Sequence, residues 1–244
     1  MEEMVQKSYA ACQSYTKKAM VILVIVYCLC IGLIGMVYGL PFAIQHPLSE
    51  GWIVKHILWF VICALVSFLI ACFYVYRGIK SLVGKYDSIL CKQLDRKNYM
   101  GQLDQGLEYG KNHNLSIAQK AFFLSLQERY VMALLLNGKV LEAQYYMNHM
   151  WCGHRNNRSY QRTFAYVSLA VAYKQQDLSS FYKNKEMYKR WIKSLHYLDF
   201  YQYALEGNLD ACKQVVTKLK ECKNHDHVYE KIIQEQLEHI KKAL

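Results

Sequence analysis

Apolar residues fill nearly every position of two stretches near the start of the chain, and recur at helical spacing through the remainder. From Ala19 to Ser49 no Asp, Glu, Lys or Arg occurs. The run from Ala19 to Phe42 would cross about 30 Å of hydrocarbon as a helix. The second run, His56 to Tyr76, is bounded by Lys55 and Arg77 and reaches about 30 Å at 1.5 Å per residue. Pro41 and Pro47, the only prolines, both lie between the two runs. This pattern predicts a transmembrane hairpin with spans at 19–43 and 56–76. Downstream, Tyr160, Phe164, Val167 and Val171 recur at steps of four, three and four, and Val215, Leu219 and Cys222 at four and three. Each set predicts a buried helix face.

Charge orients the hairpin. Lys7, Lys17 and Lys18 precede the first span, Lys55 alone lies in the connection, and Arg77, Lys80, Lys85 and Lys92 follow the second. The excess of cations beside both chain ends places both termini in the cytoplasm. The reading is integral membrane insertion, in a bacterial cytoplasmic membrane. A cleaved signal peptide competes, but Glu2 and Glu3 make a poor cationic start and the apolar run is too long. Small residues at Gly32, Gly35 and Gly39, and at Ala64, Ser67 and Ala71, share offsets of three and four. They predict smooth faces for close helix packing, with Gly35 near the depth of Ala64 and Gly32 near Ser67. Gly35 and Gly39 also form a GxxxG pattern suited to a homo-oligomer through these helices.

From Arg77 onward 26 Lys and Arg face 16 Asp and Glu, with no proline, which predicts an all-α cytoplasmic region. The expected organisation is an N-terminal segment 1–18, the hairpin 19–76, a linker helix 77–94 and a helical domain 95–244. The nine cysteines, four of them inside apolar runs, fit small core residues of a reducing compartment rather than a disulfide framework. GxGxxG, GxxxxGK[ST] and HExxH are absent, and no cofactor is expected. No glycine-framed nucleophile turn occurs, and Asp104 with Glu108 is a carboxylate pair of the kind common on exposed helices. The residues support no enzyme.

Within the last 150 residues one short pattern returns: GKVLEA at 138–143, QDLSSF at 176–181 and GNLDAC at 207–212, with KNYMGQ at 97–102 as a weaker copy. Each suits a tight turn followed by a helix that carries a small residue one turn in, where two helices cross closely. This pattern resembles the tetratricopeptide repeat family. GKVLEAQYY matches its turn and second-helix start at Gly138, Ala143, Tyr145 and Tyr146. YKQQDL has Gln176 where the family prefers glycine, and EGNLDA is a shortened example. The resemblance spans about residues 95–244 with uneven periods. It implies an α-solenoid of antiparallel helix pairs that presents a groove to a protein or peptide partner. DHVYEKIIQEQLEHIKKAL then reads as a closing helix.

Candidate chemistry is sparse. Arg155, Arg158 and Arg162 share a helical face with Tyr166, on what would be a groove-lining first helix, and suit an acidic peptide or chain carboxylate. Lys183, Lys185, Lys189, Arg190 and Lys193 form a second basic cluster. A solvated basic surface attracted to membrane lipids is the competing reading. No nucleic-acid-reading motif accompanies the charge. His149, Cys152 and His154, and Cys222, His225 and His227, offer ligand types that suit zinc but lack a paired CxxC arrangement. The function expected is a membrane-tethered interaction scaffold. The alternatives are an accessory subunit of a transport or secretion complex docking through its membrane helices, and a metal-binding enzyme or sensor.

Overall fold

A helix spanning both charged and apolar sequence opens the chain. In a computed structural model, α1 (Glu2–Ile34) and α2 (Glu50–Gln93) are each unbroken. The remaining helices are α3 (Arg96–Asn112), α4 (Ile117–Leu136), α5 (Val140–Tyr145), α6 (Arg158–Lys174), α7 (Leu178–Met187), α8 (His196–Leu205) and α9 (Leu209–Glu221). The structure describes residues 2–34, 36, 50–93, 96–151, 155–191, 196–221 and 238, and among these no strand occurs. The closing helix expected after residue 225 lies outside them, apart from Glu238. So does most of the link between the two apolar runs.

The chain divides into two compact units. The first is Met1–Val83 with His113–Phe122, and the second is Gly84–Asn112 with Phe123–Leu244. In the first unit α1 and α2 are long and apolar enough to cross a membrane. They are also almost wholly unburied: their most apolar windows are only 6% and 17% buried, whereas a soluble core helix would be covered on most sides. Met20, Val24, Leu29, Leu33, Leu65 and Phe73 all point outward, each more than half exposed.

The two helices pair along narrow seams. On α1 the buried positions Val5, Tyr9, Cys12 and Ala19 follow steps of four, three and seven, the period of antiparallel knobs-into-holes packing. On α2 the seam is Cys63, Ser67, Ala71, Gly78 and Leu82. Cys30 and Cys63 lie within hydrogen-bonding reach, and Tyr15 packs at Gly78, where an added Cβ would sit 2.7–2.9 Å from three ring atoms. These contacts share one antiparallel register, since moving from Cys30 back to Tyr15 covers as many residues as moving from Cys63 forward to Gly78. That register lies six residues from the expected pairing of Gly32 with Ser67. Gly32 is exposed with nothing within 4 Å of an added Cβ, and Ala64 is exposed. Ser67 and Ala71 hold the seam instead, beside Cys63, and the Ser67 hydroxyl donates to the Cys63 carbonyl at 2.7 Å. Gly35 and Gly39 lie outside the described residues. The expected linker helix 77–94 is a continuation of the second apolar helix, because nothing between Arg77 and Gln93 breaks it.

The start of α4 belongs to this unit as well. The Tyr9 ring meets Phe122 edge-on at 5.2 Å, and the Gln119 side chain donates to the Tyr9 carbonyl at 3.0 Å.

The second unit is built from helical hairpins joined by three turns of identical hydrogen bonding. After α4, Gly138 N–H donates to Leu135 and Lys139 N–H to Leu134. After α6, Gln176 N–H donates to Tyr173 and Asp177 N–H to Ala172; after α8, Gly207 N–H donates to Ala204 and Asn208 N–H to Tyr203. Each turn is a Schellman closure, which satisfies helix-end carbonyls and requires one left-handed residue. Those residues are Gly138 (φ 71°), Gln176 (φ 54°) and Gly207 (φ 70°).

Side chains then start two of the next helices: Asp177 accepts from Ser180 N–H and Asn208 from Ala211 N–H. Ala143, Phe181 and Cys212, each five residues past its left-handed residue, are almost completely buried, and so are Val131, Leu169 and Phe200, each seven before. The small-residue role near Gly207 therefore falls to Cys212 and not to Ala211. KNYMGQ opens a helix too, in the first turns of α3.

Candidate functional site

The face carrying Arg155, Arg158, Arg162 and Tyr166 does not form a free basic groove. Arg162 is ion-paired to Glu128 of α4, whose other carboxylate oxygen accepts from the Ser159 hydroxyl at 2.7 Å. Arg155 donates to the Asn148 carbonyl at 3.2 Å. Tyr166 is buried in a core cluster with Leu169, Ala172, Phe181 and Leu198. Arg155 and Arg158 remain as exposed cations without a charged partner among the described residues. At Arg162, Glu128, 34 residues earlier, supplies the counter-charge that an acidic ligand was expected to bring.

Three cations of the second basic cluster are likewise engaged, and Lys183 is exposed. Lys185 lies 3.7 Å from Asp199, Lys189 lies 3.3 Å from Glu186, and the Arg190 guanidinium sits 4.8 Å over the Trp191 ring. Around Lys185 a polar tie joins α7 to α8: Tyr182 donates to Glu206, and Gln202 donates to both. The Tyr182 hydrogen bond, followed by the Gln202 one, lowers the Glu206 pKa; the same bond to Glu206 raises that of Tyr182. Lys193 lies outside the described residues.

Of the six metal candidates, His149 is exposed and packs its ring on Tyr145 at 4.7 Å. Cys152, His154, Cys222, His225 and His227 lie outside the described residues. Among the described residues no group of three His, Cys, Asp or Glu side chains converges. Asp104 and Glu108 stay exposed on α3.

A site that the sequence reading missed lies where α3, α4 and α5 meet. It is a cleft of about 490 Å³, whose lining includes Asp104 and Lys111 from α3, Tyr130 and Leu134 from α4, and Leu141, Glu142 and Tyr145 from α5. Its floor is set by a π-helical turn at Tyr146–Met150 that continues α5. In that turn the Trp151 N–H donates to Tyr146 at 3.1 Å, a wide closure frequent at functional sites. Fully buried Gln127 holds the turn to α4, donating to the Tyr146 hydroxyl at 3.3 Å and to the Met150 carbonyl at 3.2 Å. The Tyr130 and Tyr146 rings stand 5.0 Å apart. Burial, and then the charges of Asp104 and Glu142, raise the Tyr130 pKa above its ordinary 10.0.

Leu141 (59% exposed), Tyr145 (61%) and Met150 (37%) line the cleft and still present apolar surface to solvent. A signal for it was present in the sequence. Around VLEAQYYM, Val140, Ala143 and Met147 form the buried face, and Leu141 with Tyr145 forms a second apolar pair one turn apart on the other side. Lys139 lies 3.1 Å from Glu142, so the carboxylates of the cleft are partly balanced. The arrangement suits an apolar or aromatic side chain with a polar edge better than a bare ion.

No family model, no curated protein and no solved structure matches the chain.

Proposed function

We propose that this protein is a membrane-anchored interaction module. α1 and α2 cross the bilayer as a hairpin with both termini in the cytoplasm, and α3 to α9 form a tetratricopeptide-like solenoid that binds a segment of a partner protein. The anchoring is supported by the outward apolar belt on two helices that bury little of themselves. The repeat reading is supported by three turns with the same hydrogen bonds, left-handed residue and buried flanking positions.

The observation that carries the binding reading is the cleft between α3, α4 and α5 with its exposed Leu141, Tyr145 and Met150. Recruitment then depends on burying these side chains, at about 25 cal/mol per Å² of apolar area removed from water. The test places a photo-crosslinking residue at Tyr145 in the full chain, in source-cell membranes. The expected result is one or a few discrete adducts that vanish in Leu141→Glu. Adducts indistinguishable from those of a crosslinker at exposed Lys213 would refute the cleft as the binding surface.

A second reading, docking onto the membrane helices of a larger transport or secretion complex, is favoured by Gly32 and Ala64, which face outward and leave low-relief patches. It predicts that Gly32→Leu disperses a membrane complex while crosslinking at Tyr145 is unchanged.

A further inference from the structure

The first unit carries a band of cations that no carboxylate neutralises among the described residues. Lys17 and Lys18 on α1, and Arg77 and Lys80 on α2, are all exposed, and none has a carboxylate partner among the described residues. The sequence explains why. No Asp or Glu occurs between Met4 and Ser49, between Gly51 and Tyr86, or between His113 and Phe122. The acids of this unit are Glu2, Glu3 and Glu50, and Glu3 is taken by Lys7.

The helix register places these cations at one depth. Tyr15 packs at Gly78 and stands edge-on to Tyr74, with ring centroids 6.0 Å apart. Counted from the Tyr15–Gly78 contact, Lys17 and Lys18 lie two and three residues toward the apolar stretch, Arg77 one residue toward it and Lys80 two residues away. At 1.5 Å per residue the four occupy a band about 8 Å deep. The headgroup layer on one side of a bilayer is of similar depth, roughly 5–8 Å, given a hydrocarbon core of about 30 Å in a total of about 40–45 Å. The band begins where the apolar belt ends, between Lys18 and Met20 on α1 and between Phe73 and Arg77 on α2. Tyr74 and Tyr76, the latter 63% exposed, supply the amphipathic rings characteristic of that boundary.

We propose that this collar binds the phosphates of anionic phospholipids, and that the protein selects them over zwitterionic ones. The proposal rests on the membrane reading above and adds the lipid class. Charge complementarity carries it: the cations need counter-charges at headgroup depth, the protein supplies none there among the described residues, and an anionic leaflet does. A zwitterionic headgroup brings its own ammonium into the same layer and loses the advantage.

The test uses the full chain. Alkaline flotation with pure phosphatidylcholine vesicles first reports insertion. Protein extracted from vesicles of equal parts phosphatidylcholine and phosphatidylglycerol is then examined by native mass spectrometry for the lipids it retains. Wild type is expected to keep phosphatidylglycerol about five-fold over phosphatidylcholine, the effect of roughly 1 kcal/mol for one cation beside each headgroup. Combined Lys17→Gln, Lys18→Gln, Arg77→Gln and Lys80→Gln should bring the ratio near unity, while Lys17→Arg, Lys18→Arg and Lys80→Arg together should keep it. An inserted wild type without preference, or a preference surviving in the glutamine variant, overturns the lipid selectivity alone. A chain that fails to float with neutral vesicles overturns the membrane reading and this inference with it.

Discussion

The three Schellman turns allow a backbone prediction free of packing effects. An added Cβ at Gly138 or Gly207 meets nothing within 4 Å, so Gly→Ala at either position acts only through the left-handed backbone. Holding a non-glycine residue there costs about 1–2 kcal/mol. Loss of conformational freedom in the unfolded chain returns about 0.4–1 kcal/mol. The net penalty is about 1 kcal/mol, a five-fold rise in local opening. Gln176 already bears this cost, so Gln176→Gly has the opposite sign. That gain is reduced by losing the exposed hydrogen bond from Gln176 to the Tyr173 carbonyl, which is worth about 0.5 kcal/mol, and slightly slower opening remains. Hydrogen exchange on the reconstituted full chain reads these changes at amides that close the following helix turns, Ala143, Phe181 and Cys212. Gly138→Ala and Gly207→Ala should accelerate exchange about equally, and Gln176→Gly should not accelerate it. Faster exchange in Gln176→Gly, or silence in Gly207→Ala, would show that the turns do not carry local stability in this way.

Further predictions follow from specific contacts. Gly78→Ala should loosen the α1–α2 hairpin by about 1–3 kcal/mol of overpacking, because its Cβ falls on the Tyr15 ring; Tyr15→Ala in the same chain should restore much of the loss in a thermal-unfolding double-mutant cycle. Arg162→Gln should lower stability by about 2 kcal/mol, since it removes the counter-charge of Glu128, which is 14% exposed and keeps the Ser159 hydroxyl as a donor, and should leave crosslinking at Tyr145 intact. The Asp177 pKa lies below its ordinary 3.8 because of its hydrogen bonds to Ser180. The capping contribution is therefore complete above that value and fades as pH falls through the lower folded value, so amide exchange at Ser180 should rise under acid; Asp177→Asn, which keeps an acceptor, should flatten the profile. The Tyr182 pKa is raised, so its tie to Glu206 holds below pH 10 and is lost as pH climbs through the higher folded value; ultraviolet titration should show that shift shrink in Glu206→Gln.

The helices were largely legible from the chain because their signals are local. Uncharged runs, helical periodicity and the turn glycines need no knowledge of distant residues, and even Gln176 was found through its alignment with Gly138 and Gly207. What escaped depends on partners far away in sequence. The pairing of α1 with α2 follows Tyr15 on Gly78, an aromatic ring seated on a glycine outside both predicted spans, and small-residue offsets alone favoured another register. The pairing of Arg162 escaped because Glu128 lies on a different helix. Tyr166 was assigned to a groove because amphipathicity marks a face without saying what covers it. The cleft escaped because its residues come from three helices, and only the Leu141 and Tyr145 pair left a local trace.

The shared turn also constrains where the three helix pairs can differ. In two of the three junctions, the residue that closes one helix is also the residue that caps the next: Asp177 and Asn208 each donate a backbone N–H backward and accept one forward through the side chain. Such a joint has no spare link, so an inserted or deleted residue would break both bonds at once. The left-handed residues are nevertheless unevenly spaced, at 138, 176 and 207. The two intervals, 38 and 31 residues, differ by seven, which is the difference between α6 at 17 residues and α8 at 10. The turn end of each pair is thus a fixed hinge pin, and the length of the helix that enters it is the dimension left free to vary.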